Sequence, residues 1–223
     1  MIKNQMVLGR KTAAFSAFIL VAVGVSIGWF ADQTRIGLKN NANLQTTCRP
    51  SDPVKATDNK HNVVLYLGNS LVFDHDWQID GTAPVNCAQQ GRTAAELVID
   101  SLPDILPRTV VVGFGTVEYL RAEKQNRQPD IEYVAKSIEA VSVALNTRYP
   151  EAKILLLGLP PLEVSGKRID TAPLNASIAD LTERNGLIWA PISTTSRYEG
   201  IHLNESEYAQ WQRAITLSLE SPD

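Results

Sequence analysis

The stretch "NVVLYLGNSLVFDH", residues 62 to 75, decides the fold. Val63 to Leu67 form an unbroken apolar run that halts at Gly68, and Asn69-Ser70 follow before apolar residues resume at Leu71. A run without polar alternation suits a strand covered on both faces, as in a parallel sheet. A serine directly behind such a strand stands at its carboxyl end, where parallel α/β sheets bind their ligands. Ser70 is therefore a candidate nucleophile rather than only a loop residue.

Similar runs recur outward from this point. "TVVVGFG" (109–115), "KILLLG" (153–158) and "LIWAP" (187–191) read as buried strands, and "APVNCA" (83–88) as a weaker fifth. The segments between them carry helical periodicity. Ile131, Val134, Ile138, Val141 and Leu145 fall at steps of three and four, as do Leu174, Ile178 and Leu181, and Tyr208, Trp211, Ile215 and Leu219. Thr93 with Glu96, and Asn204 with Glu207, have capping-box spacing, and Asn185-Gly186 is a helix stop. Strands alternating with helices predict an α/β domain of three layers around a mostly parallel, five-stranded sheet.

Ahead of this domain, Thr12 to Ala31 contains no charged residue. At about 1.5 Å per residue it is long enough to cross the roughly 30 Å hydrocarbon core as one helix. Lys3, Arg10 and Lys11 precede it without an acid, so the positive-inside rule keeps residues 1–11 cytoplasmic and exports the remainder. A cleaved signal peptide is the competing reading, but Trp29 and Phe30 stand where small residues would precede a cleavage point. The expected order is a cytoplasmic N-terminus (1–11), a transmembrane anchor (12–31), a polar linker (32–61) and the α/β domain (62–223) in the periplasm of a cytoplasmic-membrane protein. Beyond residue 12 the charges are 18 basic against 24 acidic, with no basic stripe, which argues against nucleic acid as a partner. In an oxidising compartment Cys48 and Cys87 could bridge linker and domain; two unpaired thiols are the alternative.

A serine needs a base, and the base an orienting group. His202 lies just before the last helix, and Glu199 precedes it by one helical turn. Together with Gly68-Asn69-Ser70-Leu71, the glycine of "NCAQQGRTAAEL" (Gly91) and Glu199-Gly200-Ile201-His202, this order resembles the SGNH, or GDSL-type, hydrolases over residues 62 to 219. The resemblance implies a flavodoxin-like α/β/α sandwich, Ser70 as nucleophile, His202 as base and Glu199 as orienting acid. It also implies an oxyanion hole from the backbone amides of Ser70 and Gly91, and no metal or organic cofactor. Where the family often reads Gly-Thr-Asn-Asp, with the Asn side chain donating to the oxyanion, this chain has Gly115-Thr116-Val117-Glu118. Val117 cannot donate, which puts activity in question; Thr116 and Asn86 are other polar candidates for the donor. Asp74, His75 and Asp76 read as a solvated rim of the site rather than a metal cluster. The expected function is an anchored serine esterase acting on a glycan or lipid ester. An O-acyltransferase of envelope polysaccharide, or a silent glycan- or protein-binding module, are the alternatives.

Overall fold

The computed structural model describes residues 48–50, 63–78, 82–164, 166–192 and 202–220. The anchor expected at 12–31, most of the linker, Glu199 and the Leu219 side chain lie outside the described residues. Among the described residues no helix is long and apolar enough to cross a membrane.

The described strands are β1 (Arg49–Pro50), β2 (Val63–Gly68), β3 (Ala83–Asn86), β4 (Pro107–Gly113), β5 (Lys153–Leu157), β6 (Leu162–Val164), β7 (Lys167–Ile169) and β8 (Ile188–Ala190). Six form one sheet in the order β1-β3-β2-β4-β5-β8, while β6 and β7 make a separate antiparallel hairpin. The five strands from β3 to β8 are mutually parallel, and β1 adds an antiparallel edge beside β3. The Cys48–Cys87 disulfide joins the residue before β1 to the residue after β3. Numbered along the chain, the parallel strands run 2-1-3-4-5. The winding direction reverses between β2 and β4, and such reversals open a crevice at the strands' carboxyl ends. Gly68 and Gly113 pair with each other at that point.

The helices are α1 (Ser70–Phe73), α2 (Thr116–Lys124), α3 (Ile131–Arg148), α4 (Ala172–Asn185) and α5 (Glu205–Glu220). Because strand side chains alternate, the apolar runs feed two faces. Val64, Tyr66, Val111, Leu155 and Leu157 pack with Leu71 and Val72 of α1 and with Tyr208, Trp211 and Ile215 of α5. Leu65, Leu67, Val110, Val112, Ile154 and Leu156 pack with the α3 stripe (Val134, Ile138, Val141, Leu145) and the α4 stripe (Leu174, Ile178, Leu181). The result is the three-layer α/β sandwich that the periodicity predicts. Each fully buried side chain of this size is worth about 1.5–3 kcal/mol. The exposed Glu132–Lys136 pair on α3 is screened by water and adds little, so the buried stripe sets how α3 lies. Gly186 ends α4 in the left-handed conformation.

Two departures from the sequence reading concern the elements around the site. β4 covers Pro107–Gly113 rather than 109–115, because Gly115 (φ +118°) turns the chain into α2. An added Cβ at Gly115 would meet leucine side-chain carbons of Leu159 and Leu174 at 2.8 and 2.9 Å, so both the backbone and the packing require glycine. Thr93 and Glu96 do form a capped turn, but it is a 3-10 helix of three residues, Ala94–Glu96.

Candidate active site

Ser70 opens α1, and two glycines seat that helix. A Cβ on Gly68 would lie 2.4 Å from the Gly113 carbonyl oxygen and 2.7 Å from Val72 Cγ2, and one on Gly113 would lie 2.6 Å from Val72 Cγ2. Both strand ends therefore leave room for Val72, which is fully buried. Asn69 fastens the start of α1. Its N–H donates to the Gly113 carbonyl (3.3 Å), its Oδ1 accepts from Leu71 N (3.0 Å), and its carbonyl accepts from Val72 N and Phe73 N. In this first turn, the Ser70 N–H alone has no acceptor among the described residues, leaving it available to a ligand. The last carbonyls are also satisfied: Trp77 Nε1 donates to Val72 O (2.8 Å), and Asn86 Nδ2 donates to Val72 O and Phe73 O (3.1 and 3.4 Å).

The Gly91 loop runs beside the end of β2, where Cys87 N donates to Tyr66 O and Gln89 N to Gly68 O. Gly91 is left-handed at φ +69°. Side chains from α2 clamp this loop. Arg121 donates to the Gly91 carbonyl (2.9 Å) and to both oxygens of Glu96, whose Oε2 also accepts from Thr93 N (2.9 Å). Glu118 Oε1 accepts from Ala94 N (3.1 Å). Burial raises the Glu118 pKa above the usual carboxylate value, against the opposing pull of backbone N–H groups and Arg121. At Glu96 burial also pushes upward, but the bonds from Arg121 and Thr93 outweigh it and the net shift is downward.

Of the residues considered as extra oxyanion donors, Asn86 is not available. Its amide N–H groups hold the end of α1, and its Oδ1 accepts from Ala88 N (3.0 Å). Val117 is apolar and 6% exposed. Thr116 is buried and lines a small recess with Asn69, Leu71, Gly113, Phe114 and Trp211, at the point where the winding reverses.

The position of His202 is set by the entry to α5. Asn204 and Glu207 form the expected reciprocal box: Asn204 N donates to Glu207 Oε2 (2.8 Å), and Glu207 N to Asn204 Oδ1 (3.1 Å). Leu203 is buried in the same cluster as Leu71, so the residues beside His202 and Ser70 share one core. His202 itself is exposed, and its Nδ1 lies 3.3 Å from Asp74 Oδ2. Asp74 Oδ1 accepts from Gln90 Nε2 at 3.1 Å. The sequence reading placed Asp74 on the rim but did not pair it with His202.

His75 points elsewhere. Its ring stacks on Tyr208 (4.3 Å between centroids), meets Trp77 edge-on (4.6 Å), and its Nε2 lies 3.4 Å from Gln212 Oε1. Burial lowers its pKa, against the Gln212 bond and the nearby Asp76. Asp74 and His75 thus diverge, and among the described residues no group of three His, Cys, Asp or Glu is placed to hold a metal.

No known protein-family profile matches the sequence. By sequence, the chain is similar to the platelet-activating factor acetylhydrolase IB subunit alpha2 of Homo sapiens and of Bos taurus. It is 29% identical to each over 123 residues, covering 49% of this chain and 50% of those proteins. The chain thus spans about half the length of these curated relatives. By structure, it is similar to a GDSL-like lipase from Bacteroides thetaiotaomicron, with a TM-score of 0.56 and 16% identity over 83% of this chain and 96% of that one. It is also similar to a catalytic mutant of an acetylxylan esterase from Geobacillus stearothermophilus (TM-score 0.55, 12% identity, 72% and 95% covered). The chain has the SGNH, or GDSL-like, hydrolase fold.

Proposed function

We propose that the chain is a serine esterase that hydrolyses ester bonds with Ser70 as nucleophile and His202 as base. The observation that carries this reading is the convergence at one strand end. Ser70 opens a helix with its own N–H unspent, and His202, ahead of α5, reaches the residue one turn beyond Ser70. In this mechanism, Ser70 Oγ attacks the ester carbonyl while His202 Nε2 takes its proton. The N–H groups of Ser70 and Gly91 receive the oxyanion. His202 then protonates the departing alcohol, and a water activated by the same imidazole releases the acyl group. Glu199, by its position in the motif, is the acid assigned to orient His202.

The uncharged segment 12–31, with its basic flank, supports tethering to the outer face of a cytoplasmic membrane. A tethered esterase fits an O-acylated envelope polysaccharide or a lipid ester as substrate. The acetylxylan esterase likeness favours the former. Val117 supports a second reading, a silent binding module, because its side chain offers no donor and one such donor is worth on the order of 10²–10³ in turnover.

The test is hydrolysis of an activated acetyl ester by the full chain in mild detergent, beside Ser70→Ala. The esterase reading expects turnover that disappears in the variant, and covalent labelling of Ser70 by a serine-reactive phosphonate. Equal rates without labelling would establish the silent module instead. Acylated glycan appearing as product when glycan is added would make the enzyme a transferase.

A further inference from the structure

We infer that Asp74 is a positioning residue of this site, holding the base His202 and the oxyanion loop with the two oxygens of one carboxylate. The inference rests on the esterase reading above. Asp74 ends α1, and its N–H donates to the Ser70 carbonyl at 2.9 Å. Four residues apart across one helical turn, Ser70 and Asp74 occupy the same face of α1. Oδ2 lies 3.3 Å from His202 Nδ1, and Oδ1 accepts from Nε2 of Gln90, the residue before Gly91. One side chain thus touches the elements that carry the base and the second oxyanion amide, while its own helix carries the nucleophile.

The consequence is chemical. A carboxylate beside Nδ1 favours the tautomer with its proton there, which leaves the Nε2 lone pair free to accept the serine proton. The side chains of Asp74 and His202 are 32% and 53% exposed, and a polar contact so open to water contributes little to folding. Its value lies in the orientation of the ring: with Nδ1 held at the end of α1, Nε2 is the nitrogen left to take the Ser70 proton. The motif assigns this task to Glu199, whereas the carboxylate beside Nδ1 among the described residues is that of Asp74. It is anchored on the nucleophile's own helix, so the distance from acid to serine is fixed by the backbone.

The experiment compares Asp74→Asn, Asp74→Glu, Glu199→Gln and Ser70→Ala in the full chain. It uses an activated acetyl ester, with denaturation midpoints measured in parallel. Asp74→Asn should lower kcat by on the order of 10² or more, with KM nearly unchanged and the midpoint retained; a wrong tautomer at the orienting acid can cost up to about 10⁴. Asp74→Glu should recover part of that loss, whereas Glu199→Gln should cost less than Asp74→Asn. In protein labelled with 15N-histidine, the hydrogen-bonded Nδ1–H signal of His202 should survive Glu199→Gln and shift or vanish in Asp74→Asn. A merely structural role would not move that signal. Wild-type kcat in Asp74→Asn, with Ser70→Ala inactive, would overturn this inference alone. Ser70→Ala as active as wild type would overturn the esterase reading and the catalytic role of Asp74 with it.

Discussion

If Val72 is what requires glycine at the strand ends, then Gly113→Ala and Gly68→Ala should respond differently to shortening it. The new methyl at Gly113 would meet Val72 Cγ2 at 2.6 Å and Leu157 Cδ1 at 3.3 Å, both side-chain atoms. Overpacking of this kind costs about 1–3 kcal/mol. Val72→Ala by itself removes two methyl groups from a fully buried residue, at about 1–3 kcal/mol. Were the two sites independent, the double variant would carry the sum. Because the clash is with the atoms that Val72→Ala deletes, Gly113→Ala/Val72→Ala should cost about as much as Val72→Ala alone, a coupling of about 1–3 kcal/mol. Gly68→Ala is different, since its methyl also meets the Gly113 carbonyl oxygen at 2.4 Å, a backbone atom that Val72→Ala leaves in place. Its cost should persist in the double variant. Denaturant midpoints at constant m measure all of these terms. Turnover should follow the seat of α1: a displacement of about 1 Å at Ser70 is worth roughly 10²-fold, so Gly113→Ala should lose that much and the double variant regain it. Additivity of Gly113→Ala and Val72→Ala to within about 0.5 kcal/mol, or equal rescue of both glycine variants, would refute this account of how Ser70 is seated.

Three further outcomes follow from other parts of the fold. Arg121→Ala should change stability by no more than about 1 kcal/mol, because its pair with Glu96 is partly exposed, yet lower turnover clearly by releasing the Gly91 carbonyl; midpoint and kcat measured together check this. Burial lowers the His75 pKa, so the folded state holds fewer protons there. The stability contribution of His75 is complete above the unfolded value of about 6.5 and is lost as pH falls through the lowered folded value. His75→Phe, which keeps the stacking on Tyr208, should therefore flatten the decline of stability below about pH 6.5, as chemical denaturation at several pH values would show. Breaking the Cys48–Cys87 bridge, which spans 39 positions, should cost up to about 4 kcal/mol by the loop-entropy relation, read as the midpoint shift between oxidised and reduced protein.

What the sequence revealed and what it hid divide along physical lines. β2, β4 and β5 were legible because strands buried on both faces need no polar alternation, and the α3 stripe because its period repeats over five positions. The box at Asn204 and Glu207 was legible because it is closed by residues three apart. β1 was not: two residues, Arg49–Pro50, carry no periodicity, and β1 lies beside β3 where the Cys48–Cys87 bridge joins the two segments. The hairpin of β6 and β7 was missed because three residues establish no period and "LEV" and "KRI" hold no apolar run, whereas β8, equally short, lies within the apolar "LIWAP". α2 was obscured because "GFG" prolongs the apolar run of β4, and only the positive φ of Gly115 marks where the strand has ended.

The site divides in the same way, and the division explains which motif letters can vary. Gly68 and Gly113 act by the missing side chain that leaves room for Val72, and Gly91 by its left-handed backbone, so their identity is readable wherever the pattern recurs. Asn69 caps α1 by accepting from Leu71 N, a task an aspartate oxygen performs equally well, so the turn does not depend on which of the two stands there. Glu118 accepts from Ala94 N, so an acid at the fourth position of Gly-Thr-Val-Glu holds the Gly91 loop whatever stands at the third. Val117 is an apolar, buried neighbour that takes no part in that bond. The Asp74–His202 contact was illegible for the opposite reason. It joins the end of the first helix to the entry of the last, and nothing in the local spacing of either segment encodes that meeting. It follows only from the common core in which Leu71 and Leu203 are buried together.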